Sequence, residues 1–273
     1  MNSKENPFFF YKERTLWEVN KEKAVLLAGG RALLMQLAHP LIAQAVEDTD
    51  FMQKKPYERL HRTAEAGLGL IFGTDEQVFQ IANRINLVHE HLNGSLKTTV
   101  GNYPKGERYD ATNPELLQWV AATIIDSSIV GFEKFIRPLS EQDKSNYLKD
   151  TIVLFKLLKV DTNYFPNSYW ELTSYIEEMI NTEKIKVSKT AKELAPYALL
   201  RYSPVREMIT FPFFKITVGL LPEKLREQYG FSWQIWEEKI LSGFSSGMQK
   251  IVPFLPRQLR YVPDYQRTQR ILK

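Results

Sequence analysis

From Val78 to Leu92 the apolar residues recur at steps of three and four: Val78, Ile81, Ala82, Ile85, Val88 and Leu92. That spacing stacks side chains on one face of an α-helix and cannot serve a strand, whose faces alternate every second residue. The helix has its own punctuation. Thr74 with Gln77 forms a capping box, and Gly94 is read as its stop. Pro56 opens the helix before it, which runs to Phe72 and closes at Gly73. The result is a helical hairpin over 56–94, and the rest of the chain repeats its style. Helices are expected over 15–27, interrupted by Gly29 and Gly30, then over 31–39 and from Pro40 to Glu47. Others follow from Pro114 with Asn113 as N-cap, from Ser140 to 159, and over 168–181, 188–200, 204–220 (broken at Pro212), 222–229 and 232–250. No period-two run and no internal repeat is found. The expectation is an all-α chain of about ten helices, one globular domain over 1–273. Residues 1–14 read as an arm carrying Phe8, Phe9, Phe10 and Tyr11, and residues 251–273 as a strap with little regular structure.

The residue inventory removes much chemistry. With no cysteine there is no disulfide, thiolate nucleophile, zinc–thiolate site or iron–sulfur cluster. This is compatible with a reducing compartment, and the expectation is a cytoplasmic protein. The 36 basic and 32 acidic residues leave a net charge of +4 with no Lys/Arg block, which argues against nucleic acid and leaves room for peripheral contact with an anionic membrane. No apolar run approaches the ~18 residues that span a bilayer. There is no phosphate-binding glycine loop and no nucleophile elbow. Four histidines cannot readily build a three-His metal centre, and Glu58-x-x-His61 is half of what a di-iron bundle needs. A site requiring one histidine remains feasible, b-type haem above all.

Three of the four histidines lie in the hairpin. His89 falls on the apolar stripe, four residues after Ile85. His91 faces elsewhere, and His61 sits on the other helix. A histidine on an apolar face is either a satisfied core residue or a ligand, and periodicity leaves both open. Arg59 and Thr63 share a face of the first helix, with Gly67 one turn further. Gly67 and Gly69 inside a helix each cost roughly 1 kcal/mol relative to alanine, a cost met where a backbone or a flat ligand approaches closely. Arg31 and His39 occupy a very apolar helix and need partners there; the plain reading is that both are satisfied locally, His39 capping its own helix end. Asp126, in an apolar run, must likewise be paired or stand at a break.

Several strings together resemble a known family. They are Arg31–Pro40, Arg59-Leu60-His61-Arg62-Thr63, Phe72-Gly73-Thr74, Val88–Gly94, and Tyr109-x-Ala111-x-Asn113-Pro114-Glu115-Leu116-Leu117-x-Trp119-Val120, with Pro138-Leu139-Ser140 and Leu220-Leu221-Pro222. In this order and spacing, over about 25–245, they are similar to the family of the mpaB oxygenase and latex-clearing protein (rubber oxygenase). The resemblance implies a globin-reminiscent helical fold holding haem b, and a haem-dependent oxygenase using O2 on an apolar, isoprenoid or unsaturated lipid substrate. The family's His-x-x-hydrophobic-x-Gly motif makes His89 the axial iron ligand, with Leu92 and Gly94 completing the motif. Arg59 and Thr63 correspond to residues beside the haem. Arg62 replaces a lysine that in latex-clearing protein can approach the iron, so Arg62 and Thr63 are the candidate catalytic positions. Arg59, Arg62 and Arg31 are candidate propionate partners, and His39 and Gly67 are further cofactor candidates. A family histidine after Trp119 is Ala121 here. Two rivals stand beside this reading: a haem-binding sensor or carrier without turnover, and a haem-free helical protein that binds a lipid or a partner.

Overall fold

Helix starts follow the capping chemistry closely. The computed structural model describes residues 14–163 and 165–272, so the arm, apart from Arg14, and its aromatic cluster lie outside the described residues. The first helices are α1 (Thr15–Asn20), α2 (Gly29–Leu37), α3 (Pro40–Asp48) and α4 (Phe51–Lys54), with a 3-10 turn at Lys23–Ala28. The hairpin follows as α5 (Pro56–Phe72) and α6 (Asp75–His91). The Thr74–Gln77 capping box closes in both directions. Next come α7 (Pro114–Phe135), capped by Asn113, and α8 (Glu141–Leu157), α9 (Tyr169–Asn181) and α10 (Lys189–Ala198). The C-terminal part holds α11 (Pro204–Leu220), α12 (Glu223–Tyr229), α13 (Ile235–Ile251), α14 (Arg257–Arg260) and α15 (Pro263–Ile271).

Several expectations need correction. The interruption falls at Lys21–Glu22, and Gly29 and Gly30 begin α2 instead of breaking a helix. Glycine is costly in a helix interior but interrupts nothing at the first turn. Pro212 lies inside an unbroken α11, which forfeits one backbone bond there and keeps its course through the packing of its second half. The C-terminal strap is helical, with α14 and α15 docked on the body. Finally, a two-stranded antiparallel ribbon pairs β1 (Asn93–Ser95) with β2 (Arg108–Asp110).

That ribbon reassigns Gly94. It is a strand residue opposite Tyr109 and not a left-handed helix stop. A Cβ at position 94 would meet the Tyr109 Oη at 2.5 Å and Cζ at 2.7 Å. The ring cannot retreat, because it is buried and its hydroxyl donates to Asp48 Oδ2 at 2.6 Å. Gly94→Ala is therefore expected to cost about 1–3 kcal/mol through overpacking, read as a lower urea midpoint.

The core is organised on α7, which packs against α1, α2, α8, α9, α13 and the 3-10 turn. Trp119 of α7 donates its indole N–H to the Met35 carbonyl at 3.1 Å. α7 is long and apolar enough to cross a membrane by length and composition, contrary to the sequence expectation, but 67% of its most apolar window is buried inside the fold. Asp126, in the middle of this helix, is paired as expected. Its Oδ2 lies 2.5 Å from Arg31 Nη2, and its Oδ1 accepts from the Tyr169 hydroxyl at 2.9 Å. The chain's end closes over its beginning. Arg260 grips the buried Glu22 carboxylate with Nε and Nη2 at 2.7–3.0 Å. Thr268 Oγ1 donates to the Phe72 carbonyl at 2.7 Å, and Trp17 packs edge-on against both Phe72 and Tyr265.

Candidate functional site

The α5–α6 hairpin is joined by close approach at one end and stands open at the other. At the closed end Ile81 of α6 lies where a Cβ of Gly69 would sit, 2.5 Å away. This is the backbone approach that a glycine within a helix permits. Ile81, Ile85 and His89 follow each other at i+4 and are all half-buried, so they form one ridge. The ridge that meets α5 at Gly69 therefore carries His89 two turns further, at the level of the N-terminal half of α5.

At the open end α5 is bare. His61, Arg62, Thr63, Ala64 and Glu65, more than a full turn, are all exposed. Gly67 has no atom within 4 Å of its would-be Cβ. On α6, Leu87 and Val88 beside His89 are more than half exposed. Val88 belongs to the expected apolar stripe, and its exposure shows where the stripe is misread. Asn86 takes the buried position in that turn and donates to the Leu157 carbonyl at 2.9 Å.

Two polar groups here have no counterpart. The His89 imidazole makes no side-chain hydrogen bond or ion pair among the described residues, and burial pushes its pKa below the ordinary value. It is thus neutral near pH 7, the form with a free lone pair. The Arg59 guanidinium is half-buried with no side-chain partner among the described residues, and burial likewise pushes its pKa down. It remains charged, because guanidinium does not deprotonate in proteins. An unpaired cation held partly out of water favours an anionic group.

The neighbours are engaged. Arg62 pairs with Glu58 and lies 5.5 Å over the Phe51 ring. Thr63 Oγ1 donates to the Arg59 carbonyl at 2.8 Å. His61 pairs with Glu65 at 3.2 Å, and exposed His91 has Nδ1 2.7 Å from the Leu87 carbonyl. Both behave as the surface residues expected.

Arg31 and His39 belong to other networks. Each guanidinium nitrogen of Arg31 is engaged: besides Asp126 it donates from Nε to the Leu220 carbonyl at 2.8 Å and from Nη1 to Ser127 Oγ at 2.7 Å. His39 is buried at the α2–α3 corner. It caps the helix that follows it, not its own, since Nδ1 accepts from the Leu41 N–H at 3.3 Å. Nε2 then carries the proton and donates to the Tyr103 hydroxyl at 3.3 Å. Both side chains are already held by protein partners. Tyr103 and Leu220 were not anticipated as partners, because both contacts are long-range and leave no periodic trace.

Among the described residues no three His, Cys, Asp or Glu side chains gather to hold a bare metal ion. A group bringing its own equatorial ligands needs only one imidazole, and His89 supplies one. A neutral, partnerless imidazole, a partnerless arginine and an open glycine face fit a flat dianionic macrocycle such as haem. Two cavities lie elsewhere in the fold. One of 160 Å³ is lined by Leu199, Arg201, Phe214 and Tyr229. A groove of 320 Å³ lies between α11 and α13.

Comparison with known proteins adds one match. The family model described as "ER-bound oxygenase mpaB/B'/Rubber oxygenase, catalytic domain" matches residues 17–248. No curated protein and no solved structure matches the chain.

Proposed function

The chain belongs to the mpaB/rubber oxygenase catalytic-domain family, and from that premise we propose that it is a haem b-dependent oxygenase with His89 as the single protein ligand to iron. Its substrate class is an apolar molecule with carbon–carbon double bonds, an isoprenoid or unsaturated lipid. The observation that carries the reading is the half-buried His89 without a side-chain partner, on the ridge that faces α5 and its unpaired Arg59.

When bound, haem iron supplies the activation of O2. The chain's own residues do the rest. His89 offers a neutral nitrogen that burial keeps deprotonated. Arg59 would hold a propionate, exchanging an uncompensated half-buried charge for a charge-assisted hydrogen bond. Thr63, whose hydroxyl proton goes to the Arg59 carbonyl, keeps that turn of α5 in register and leaves oxygen lone pairs as acceptors. Arg62 offers no neutral nitrogen, being permanently charged and held by Glu58. In this chain it therefore cannot act as a second ligand, as the lysine at that position in latex-clearing protein can. Arg31 and His39, which the resemblance also raised as cofactor candidates, take no part in this proposal.

The test is hemin titration of the purified chain followed by its absorption spectrum. The wild type should develop a Soret band, His89→Ala should lose it, and His91→Ala should retain it. Oxygen uptake with a polyprenoid or unsaturated lipid then separates an oxygenase from a carrier. No Soret band in the wild type, or loss with His91→Ala instead of His89→Ala, would overturn the reading.

A further inference from the structure

On the side formed by α11 and α13 the fold shows an apolar face that its own core does not cover. Trp236, Ile240, Phe244 and Ile251 follow α13 at helical spacing and are 43–62% exposed. The adjoining face of the same helix, one position further round, buries Glu237, Leu241 and Ser245, so the exposed apolar row lies beside the inner face and is not part of it. Beside it, residues 204–209 of α11 are all exposed, and they include Val205, Met208 and Ile209 at 65–74%. The groove between the helices has Phe211 and Pro212 on one wall and Trp233 and Trp236 on the other. Just beyond α13, Phe254 is 88% exposed. Scattered apolar residues are normal on a surface, but a contiguous set of this kind marks a contact.

The charges identify the occupant. The acids on this face are neutralised: Glu207 by Arg201, Glu237 by Lys215 and Glu238 by Lys134. The cations Arg206, Lys239, Lys250 and Arg257 have no ion pair among the described residues, and all are exposed. Lys239 and Lys250 border the apolar stripe of α13. An apolar strip with tryptophan, edged by unpaired cations, is what lies flat in the interfacial layer of a bilayer. A second copy of the chain is less suitable, because a two-fold contact through this face would bring the same cationic rims together.

We propose that the α11–α13 face docks the protein peripherally onto an anionic phospholipid bilayer. Trp236, Ile240, Phe244 and the exposed start of α11 enter the headgroup boundary, while Lys239 and Lys250 meet lipid phosphates. This stands apart from the haem reading, and neither needs the other to be true.

Vesicle flotation tests it, with phosphatidylcholine vesicles and with vesicles that also contain phosphatidylserine. The wild-type chain should float with the mixed vesicles, less so as salt is raised, and its tryptophan emission should shift to the blue on binding. Ile240→Asp with Ile251→Asp should abolish flotation while leaving the circular dichroism spectrum unchanged, since both side chains are about 60% exposed. Lys239→Ser with Lys250→Ser should weaken binding about tenfold to thirtyfold, at roughly 1 kcal/mol for each cation near the surface. Absence of wild-type flotation would overturn the proposal, as would flotation of the double aspartate variant equal to wild type. A dimer that the aspartates dissociate, without vesicle binding, would assign the face to a second copy and overturn it too.

Discussion

Asp126→Ala is expected to destabilise the chain by about 3–5 kcal/mol, a large part of the ~5–15 kcal/mol that holds a typical domain together. The carboxylate is almost fully buried and lies against an equally buried guanidinium, with side-chain exposures of 5% and 6%. Removing it strands the Arg31 cation in the interior and leaves the Tyr169 hydroxyl without its acceptor. The cost is that of an uncompensated charge and not of one hydrogen bond. Arg31→Met in the Asp126→Leu background is expected to recover much of the loss, because removing both charges ends the desolvation problem. Recovery should be incomplete, since Ser127 Oγ and the Leu220 carbonyl lose the donor they have in Arg31. Urea unfolding of Asp126→Leu, Arg31→Met and the pair closes the cycle. Additive losses would show that the two side chains do not act as a unit.

His39 is expected to make stability depend on pH. Burial, and after it the positive charge of Lys184, lowers its pKa to about 4, against about 6.5 in the unfolded chain. Between these values the unfolded state binds a proton that the folded state refuses. Stability is therefore undiminished above about pH 6.5 and falls as the pH drops toward 4, by about 3 kcal/mol when the window is crossed. The structure gives the reason in atoms. Protonation of Nδ1 would abolish the acceptor that caps α3 and place a donor against the Leu41 N–H. His39→Asn keeps a capping acceptor and cannot titrate. Carboxylates titrate in the same range, so the measurement is the difference between wild type and variant in unfolding free energy at pH 7 and pH 4. Equal slopes would refute the assignment.

These two residues also show what the sequence could carry. That Asp126 needed a partner was legible from its place in an apolar run, and so was the need at Arg31. That each is the other's partner was not, because the α2–α7 contact joins segments whose separation leaves no pattern. His39 was legible as a residue satisfied near a helix end, but the helix it caps begins at Pro40 and Tyr103 completes its contacts. Local rules with a side-chain signature were read well: the Thr74–Gln77 box, the Asn113 and Ser140 caps, and the hairpin 56–94. Rules that depend on what packs from outside were not. Pro212 does not break α11, Gly94 serves a tyrosine ring instead of a helix stop, and Val88 faces solvent where periodicity put it inside. His89 was legible as the odd residue on its ridge. The emptiness around α5, which gives that oddity its meaning, is visible only in three dimensions.

The clasp between the two ends of the chain has a consequence for synthesis. Trp17, Glu22 and Phe72 are made well before the groups that cover them, Arg260, Tyr265 and Thr268. During translation the first helices can form, but their outer aromatic surface stays bare until about two hundred further residues have been added. A chain stalled or clipped before Arg260 would keep most of its helices and still present Trp17 and Phe72 to solvent. Such a fragment would be a substrate for chaperones before it was a protein in its own right.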